Sequence, residues 1–272
     1  MTPAEIKKSL IEGRRVYGSL VLSTSPKWHL SVRRTGLDFV FIDTEHIALD
    51  RTTLSWMCRM YKEIGLPPIV RIPSPSPYEA CKVLDGGACG VVAPYIETVE
   101  QVKQLVGATK LRPLKGGKLA RALENRSTLE PQLKEYIDNN CKDNILIINI
   151  ESVPAVQNLD NLLSVEGLDA ILIGPHDLSN SLGIPEQYSN PLFIETVNNI
   201  ISKSRTHKIG VGIHFWADIN LEINWIRSGA NLVIHSSDID IYEQNLRLDI
   251  QKIKAAAGDK IDTSFNGAAE VI

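Results

Sequence analysis

Eight short apolar runs recur along the chain, at 18–22, 38–43, 68–72, 90–94, 145–150, 170–173, 209–213 and 232–235. Between them, apolar residues return at every third or fourth position with charges in the gaps, over 49–64, 77–84, 99–106, 152–163, 191–204 and 218–228. The first pattern predicts strands and the second amphipathic helices covering an outer surface. Runs such as FVFI, PIV, ILIINI and AILI are apolar on both faces, as strands of a helix-covered parallel sheet must be. Eight alternating units predict an α/β fold, the closed (β/α)8 TIM barrel. An open doubly wound sheet is the rival, but the G-x-G-x-x-G turn after a dinucleotide-binding first strand is missing.

The punctuation agrees with this pattern. Thr2, Pro3 and Glu5 form a helix start with a capping box, and Gly13 is its stop. Three helix-to-strand junctions repeat one phrase, with Gly36, Gly87 and Gly229 just past a helix, where a left-handed cap returns the chain to the barrel. The stretch from Pro94 to Ile145 is too long for one helix and contains the Arg112-to-Lys118 loop, RPLKGGK. That loop is either a substrate-covering segment or a plain surface excursion. Residues 1–254 are expected to form a single barrel domain, and 255–272, small and polar, a peripheral or poorly ordered tail.

Composition narrows the function. The 29 basic and 32 acidic residues are interspersed and sum to −3, so no basic face for nucleic acid or membrane is expected. No apolar run is longer than a strand, and the amino terminus has no signal-peptide core, so a cytoplasmic location is expected. Cys58, Cys81, Cys89 and Cys141 have neither disulfide-framework nor zinc-ribbon spacing and read as small buried apolar residues.

Barrel chemistry sits at the carboxyl ends of strands. There the chain places Asp43-Thr44-Glu45-His46, Arg71, Asn149-Ile150-Glu151, Gly174-Pro175-His176-Asp177, His214 and His235. Lysine is absent from these ends, which disfavours a Schiff-base aldolase. Glu151 and Asp177 on neighbouring strands supply two hard oxygen ligands and leave room for substrate and water, which suits Mg2+ or Mn2+. Co2+ is an alternative, and Zn2+ would follow if His176, His214 or His235 joined. Asp43, three residues before His46, is expected to orient its ring and raise its basicity. Arg71 offers a fork of donors to a carboxylate or developing oxyanion, or else a salt bridge inside the barrel.

The run GLDFVFIDTEH ending at His46, the Val70-Arg71 pair, Leu84-Asp85, Ile150-Glu151 and VEGLDAILIGPHDLS ending at Ser179 together resemble the HpcH/HpaI aldolase family. These are class II, metal-dependent pyruvate aldolases of the phosphoenolpyruvate/pyruvate barrel superfamily. The resemblance covers about Gly18 to Asp238. It implies that Glu151 and Asp177 hold the metal, that His46 with Asp43 is the acid/base pair, and that Arg71 stabilises the enolate oxygen. It also implies a pyruvate carboxylate on the backbone after Pro175 and homo-oligomers built from dimers into hexamers. In these a terminal helix is exchanged and Asp85 reaches a neighbour's site.

Asn149 replaces the family's usual glutamine, His176 a small residue, and RPLKGG a glycine-rich arginine loop. The end of the eighth strand, Ile234 to Asp238, is also more polar than usual. The expected reaction is reversible cleavage of a 4-hydroxy-2-oxo acid into pyruvate and an aldehyde. Rival readings are a citrate-lyase-like or citrate-synthase-like enzyme joining an oxo acid and an acyl-CoA, and a non-catalytic barrel that senses an oxo acid.

Overall fold

The structure, a computed structural model, describes residues 1–260. In chain order the first half comprises α1 (Pro3–Glu12), β1 (Val16–Leu20), α2 (Trp28–Arg33), β2 (Val40–Asp43), α3 (Arg51–Glu63), β3 (Pro68–Arg71), α4 (Pro77–Gly86), β4 (Gly90–Ala93) and α5 (Val99–Lys110). Next come α6 (Gly116–Glu124), a 3-10 turn (Arg126–Thr128), α7 (Pro131–Cys141), β5 (Ile145–Ile150), α8 (Val153–Gln157), α9 (Leu159–Leu163) and β6 (Ala170–Ile173). The chain continues through α10 (Pro175–Ser181), α11 (Pro191–Thr206), β7 (Gly210–Phe215), α12 (Ile219–Arg227), β8 (Leu232–Ser237) and α13 (Asp238–Ala257).

The eight strands pair in chain order, all parallel, and β8 closes on β1. This is the (β/α)8 TIM barrel that the alternating pattern predicts. Its interior is filled by alternate strand residues such as Phe41, Ile69, Val92, Ile147, Leu172 and Ile234, while the opposite residues meet the helices in a second, larger core. Period-two alternation sends each strand's residues to these two cores, which is why no polar face appears in the runs. The three junction glycines hold φ at 83°, 114° and 116°, and α1 has its capping box on Thr2 and Glu5. Among the described residues, no helix is long and apolar enough to cross a membrane.

Four features differ from the pattern reading. The stretch 152–163 forms two short helices because the chain pauses at Asn158. A short helix, α2, follows β1 where no helix was expected. The long interval after β4 is mostly helical, and Leu111, Ala122, Leu129, Ile137 and Cys141 give it a small core of its own. It packs against α5, on the side where Lys7, Lys110 and Asp169 lie, and no residue of the Arg112–Lys118 loop lines the carboxyl-end cavity. Finally, α13 runs through Ala257 to Gly258, so the start of the expected tail is helical, and 261–272 lie outside the described residues.

Candidate active site

At the carboxyl end of the barrel lies a cavity of about 610 Å³, lined by His46, Arg71, Asn149, Gly174, Pro175, His176, Asp177, His214 and Trp216 among others. Seven of the nine residues expected at the site are therefore on this wall or, for Glu151, directly against it. Asp43 lies one layer deeper and Asp85 lies elsewhere.

Register explains the pair at the cavity floor. Asp43 and Arg71 are partners across β2 and β3, and both side chains turn inward. Arg71 donates to Asp43 through Nε at 2.8 Å and through its terminal nitrogen at 2.6 Å, and its guanidinium stands 5.7 Å from the Phe41 ring. Burial works against an ionised Asp43, but the Arg71 hydrogen bonds and charge outweigh it and hold the carboxyl below its ordinary value. Asp43 also accepts the backbone N–H groups of Glu45 and His46, at 2.9 and 3.4 Å. This corrects the expected Asp43–His46 arrangement. The carboxylate anchors the loop that carries His46, while the nearest acidic group to the ring is Glu45, 3.7 Å from Nε2. The physical reason is competition, since a bidentate guanidinium in a buried site outbids a half-exposed imidazole.

Glu45 is a site residue that the strand-end reading passed over. Its side chain is largely buried, its Oε2 stands 3.2 Å from Arg71 Nε, and its carboxylate, beside the Tyr95 hydroxyl, pushes that phenol up to about 12. Its position inside the DTEH phrase was the available signal. Tyr95 was missed too. It follows β4 at φ 56°, an uncommon conformation for a non-glycine residue, and in that pose its N–H donates to Glu151 Oε1 at 2.6 Å. Strain of this kind persists where surrounding contacts hold it.

Glu151 takes a second hydrogen bond, from Asn149 Nδ2 to Oε2 at 2.8 Å. Gly174 makes room for it, because a Cβ there would lie 2.9 Å from Oε2. Burial raises the Glu151 carboxyl above its usual range, and the negative charges of Asp177 and Glu45 add to the effect. No cationic side chain donates to it. A buried carboxylate in this state, beside the exposed Asp177 and the buried, unpartnered Oδ1 of Asn149, is a hard-oxygen setting that accepts a divalent cation. Among the described residues, no group of three or more His, Cys, Asp or Glu side chains is arranged to hold a metal ion. Glu151 and Asp177 would hold such an ion as a pair, with the remaining positions open.

The other histidines divide. His176 lines the cavity near Glu186, at 3.6 Å, whereas His235 points away from the barrel axis and pairs with Glu222 on α12 at 2.8 Å. His214 faces inward and is buried, and its Nε2 meets the Ser236 carbonyl at 3.2 Å. Burial, with the Arg71 charge second, lowers the imidazolium to about 4. A histidine in the unfolded chain titrates near 6.5. Between these values the unfolded state binds the proton and the folded state does not. This contribution to stability is therefore complete above about pH 6.5 and falls by up to roughly 3 kcal/mol as pH drops toward 4. Denaturation curves of His214→Leu across that window should show a flatter pH dependence than the parent, and an unchanged slope would contradict the assignment.

Asp85 ends α4 at the opposite end of the barrel, exposed and paired with Arg112. Lys110 is at that end too. It is a buried lysine lowered to about 8 by burial, but it is tied to Asp169 and the Asn144 carbonyl. No lysine lines the carboxyl-end cavity.

Fold and site together define a barrel enzyme whose carboxylates and single guanidinium are gathered at the strand ends. A family profile described as HpcH/HpaI aldolase/citrate lyase matches residues 17–243, and the chain belongs to that family. It is a carbon–carbon lyase. The chain is 29% identical over 209 residues to the 5-keto-4-deoxy-D-glucarate aldolase of Salmonella arizonae, covering 76% of this chain and 80% of the relative. Among solved structures it resembles an HpcH/HpaI aldolase from Desulfitobacterium hafniense, with 26% identity, a TM-score of 0.79 and coverage of 96% and 98% of the two chains. It also resembles the citrate synthase SbnG, with 28% identity, a TM-score of 0.76 and coverage of 93% and 98%.

Proposed function

We propose that this lyase is a divalent-metal-dependent pyruvate aldolase that reversibly cleaves a 4-hydroxy-2-oxo acid into pyruvate and an aldehyde. One observation carries the reading. Glu151, Asp177, Arg71 and His46 converge on a cavity that has no lysine in its wall. An imine route lacks its amine, and an enolate route has its carboxylates and its guanidinium.

An Mg2+ or Mn2+ ion on Glu151 and Asp177 would supply Lewis-acid polarisation of the oxo acid. Arg71, fixed by Asp43, presents donors to the oxygen on which charge develops as the enolate forms. His46, at the mouth and exposed, takes the methyl proton through a water and returns it to the new alkoxide. Pro175 opens α10 without a side-chain cap, and the first-turn amides after it suit the pyruvate carboxylate. Protein incubated with pyruvate and borohydride should form no covalent adduct. A chelator should abolish cleavage, with Mg2+ or Mn2+ restoring it. A trapped lysine adduct would replace this reading with a Schiff base.

The working state in this reading is a homo-oligomer built on dimers, up to a hexamer. Supporting it, α13 has no buried residue and exposes Ile239, Tyr242, Leu246, Leu248 and Ile253, while Tyr17 on β1 stays 43% exposed where an outer helix would sit. Such an apolar helix asks for a partner surface. In the assembly, Asp85 reaches a neighbour's site. Leu246→Glu with Ile253→Glu should convert the oligomer to monomers in sedimentation runs, and activity should fall with it; a fully active monomer would contradict both points.

The likeness to SbnG favours a second reading, condensation of an oxo acid with an acyl-CoA. Calorimetric CoA binding would distinguish it.

A further inference from the structure

A second cavity, of about 620 Å³, opens away from the strand ends that carry the candidate active site. Asp169 in its wall directly precedes β6, and Asn144, whose carbonyl receives the wall residue Lys110, directly precedes β5. The cavity therefore belongs to the amino-terminal end of the barrel. It is the gap left where α1, α5, the 3-10 turn after α6, the end of α7 and the loop before β6 meet. Five basic side chains line it, Lys7, Lys103, Lys110, Arg126 and Lys142, against three acidic ones, Glu124, Glu166 and Asp169. The whole chain carries −3, so this positive excess is local.

The imbalance is sharpest among the less exposed groups. Lys110 is buried and donates to the Asn144 carbonyl and to Asp169 Oδ2. That oxygen also accepts the Leu146 N–H at 2.7 Å, while Lys7 stands 3.6 Å from Oδ1 and donates to the Lys142 carbonyl. Two ammonium groups thus share one carboxylate. Burial lowers Lys110 to about 8, with the Lys7 charge adding to the effect, which still leaves most of the amine charged near pH 7. Arg126 reaches Asp138 through one terminal nitrogen, and among the described residues its buried Nε has no hydrogen-bond partner. Glu124 and Glu166 are exposed and form no ion pair with Lys7, Lys110 or Arg126 among the described residues. A buried excess of one charge is costly, and an anion seated between these three side chains relieves it.

We propose that this cavity binds an organic phosphate, its phosphoryl oxygens taking hydrogen bonds from Lys7, Lys110 and Arg126 and its body lying on Val106, Leu111, Leu123 and Val165. A phosphate monoester brings roughly −1.5 to −2 charges and several acceptor oxygens to one point, which suits donors arriving from three directions better than a carboxylate does. The volume and the apolar side chains leave room for an organic body beside that head. Bound there, the ligand links α1, α5 and the 3-10 turn. It thereby fastens the segment from α6 to α7, which has a small core of its own, to the barrel. The site is independent of the reaction at the opposite end.

Phenyl phosphate, inorganic phosphate and benzoate test it by calorimetry on the intact protein at constant ionic strength. Phenyl phosphate should bind saturably, at least about tenfold more tightly than either of the others, and the melting temperature should climb with its concentration. Lys7→Met is the decisive variant, because it removes the excess ammonium and leaves the Lys110–Asp169 pair in place. Without ligand it should melt no lower than the parent, yet its affinity should fall at least about tenfold. Lys7→Arg keeps the charge and should keep most of the affinity, and Arg126→Leu should lose as much as Lys7→Met. Absence of saturable binding, benzoate or inorganic phosphate binding as tightly as phenyl phosphate, or an affinity unchanged in Lys7→Met and Arg126→Leu would each overturn the proposal. So would binding that Glu151→Gln abolishes, since it would place the phosphate in the carboxyl-end cavity.

Discussion

Glu151→Gln should lower turnover at least about a thousandfold while leaving the folded protein as stable as the parent or more so. The two expectations share one cause. Glu151 is a buried carboxylate with two hydrogen bonds and no cationic partner, and burial disfavours its charge. Glutamine keeps the shape, and its oxygen can still accept the Tyr95 N–H. Its amide nitrogen would face Asn149 Nδ2, donor against donor, but the unpartnered Oδ1 of Asn149 can turn to accept it. The neutral side chain thus removes an unfavourable buried charge and, with it, half of the anionic pair proposed to hold a divalent ion. Thermal melts and steady-state rates read the two effects separately. A variant that melts lower and loses only a few-fold in rate would mean that Glu151 is a structural cap.

Arg71→Ala is expected to cost both stability and rate. It strands Asp43, 1% exposed, without its guanidinium, and breaking a buried pair from one side costs about 3–5 kcal/mol. The loss of donors to the developing oxyanion should lower turnover by a further ~100- to 1,000-fold. The double variant Asp43→Ala with Arg71→Ala separates the roles. Removing both charges should recover much of the stability, because no uncompensated ion remains, but none of the rate. Recovery of activity together with stability would reduce Arg71 to a strut inside the barrel.

The barrel was legible because its strands are apolar on both faces and its junction glycines recur, and both signals are local. Strand boundaries moved by at most two residues and helix boundaries by at most four, and the break at Asn158 was hidden because the apolar spacing runs through it. Much of the site was legible as well, since fold rules turn strand ends into addresses. What stayed hidden was lateral. Asp43 bonds to Arg71 rather than to the His46 ring because β2 and β3 set them side by side, a fact of register that sequence spacing does not carry. Glu45 was in view but unassigned, because its partners Arg71 and Tyr95 come from β3 and from the end of β4. His214 and His235 look alike as strand-end histidines, yet one faces the cavity and the other α12, a difference set by strand phase. The exposed apolar face of α13 was equally hidden, since spacing alone does not say whether an amphipathic helix returns to its own barrel.

In the proposed reaction these side chains draw a proton from an oxo acid without forming a covalent bond to it. Proton NMR of pyruvate in D2O, with the protein and without any aldehyde, tests it most directly. The methyl signal should decay as deuterium enters, a chelator should stop the decay and Mg2+ or Mn2+ restart it, and His46→Ala should slow it by about 100-fold or more. A methyl signal that persists with metal present, or that decays at the same rate with chelator and in His46→Ala, would contradict it.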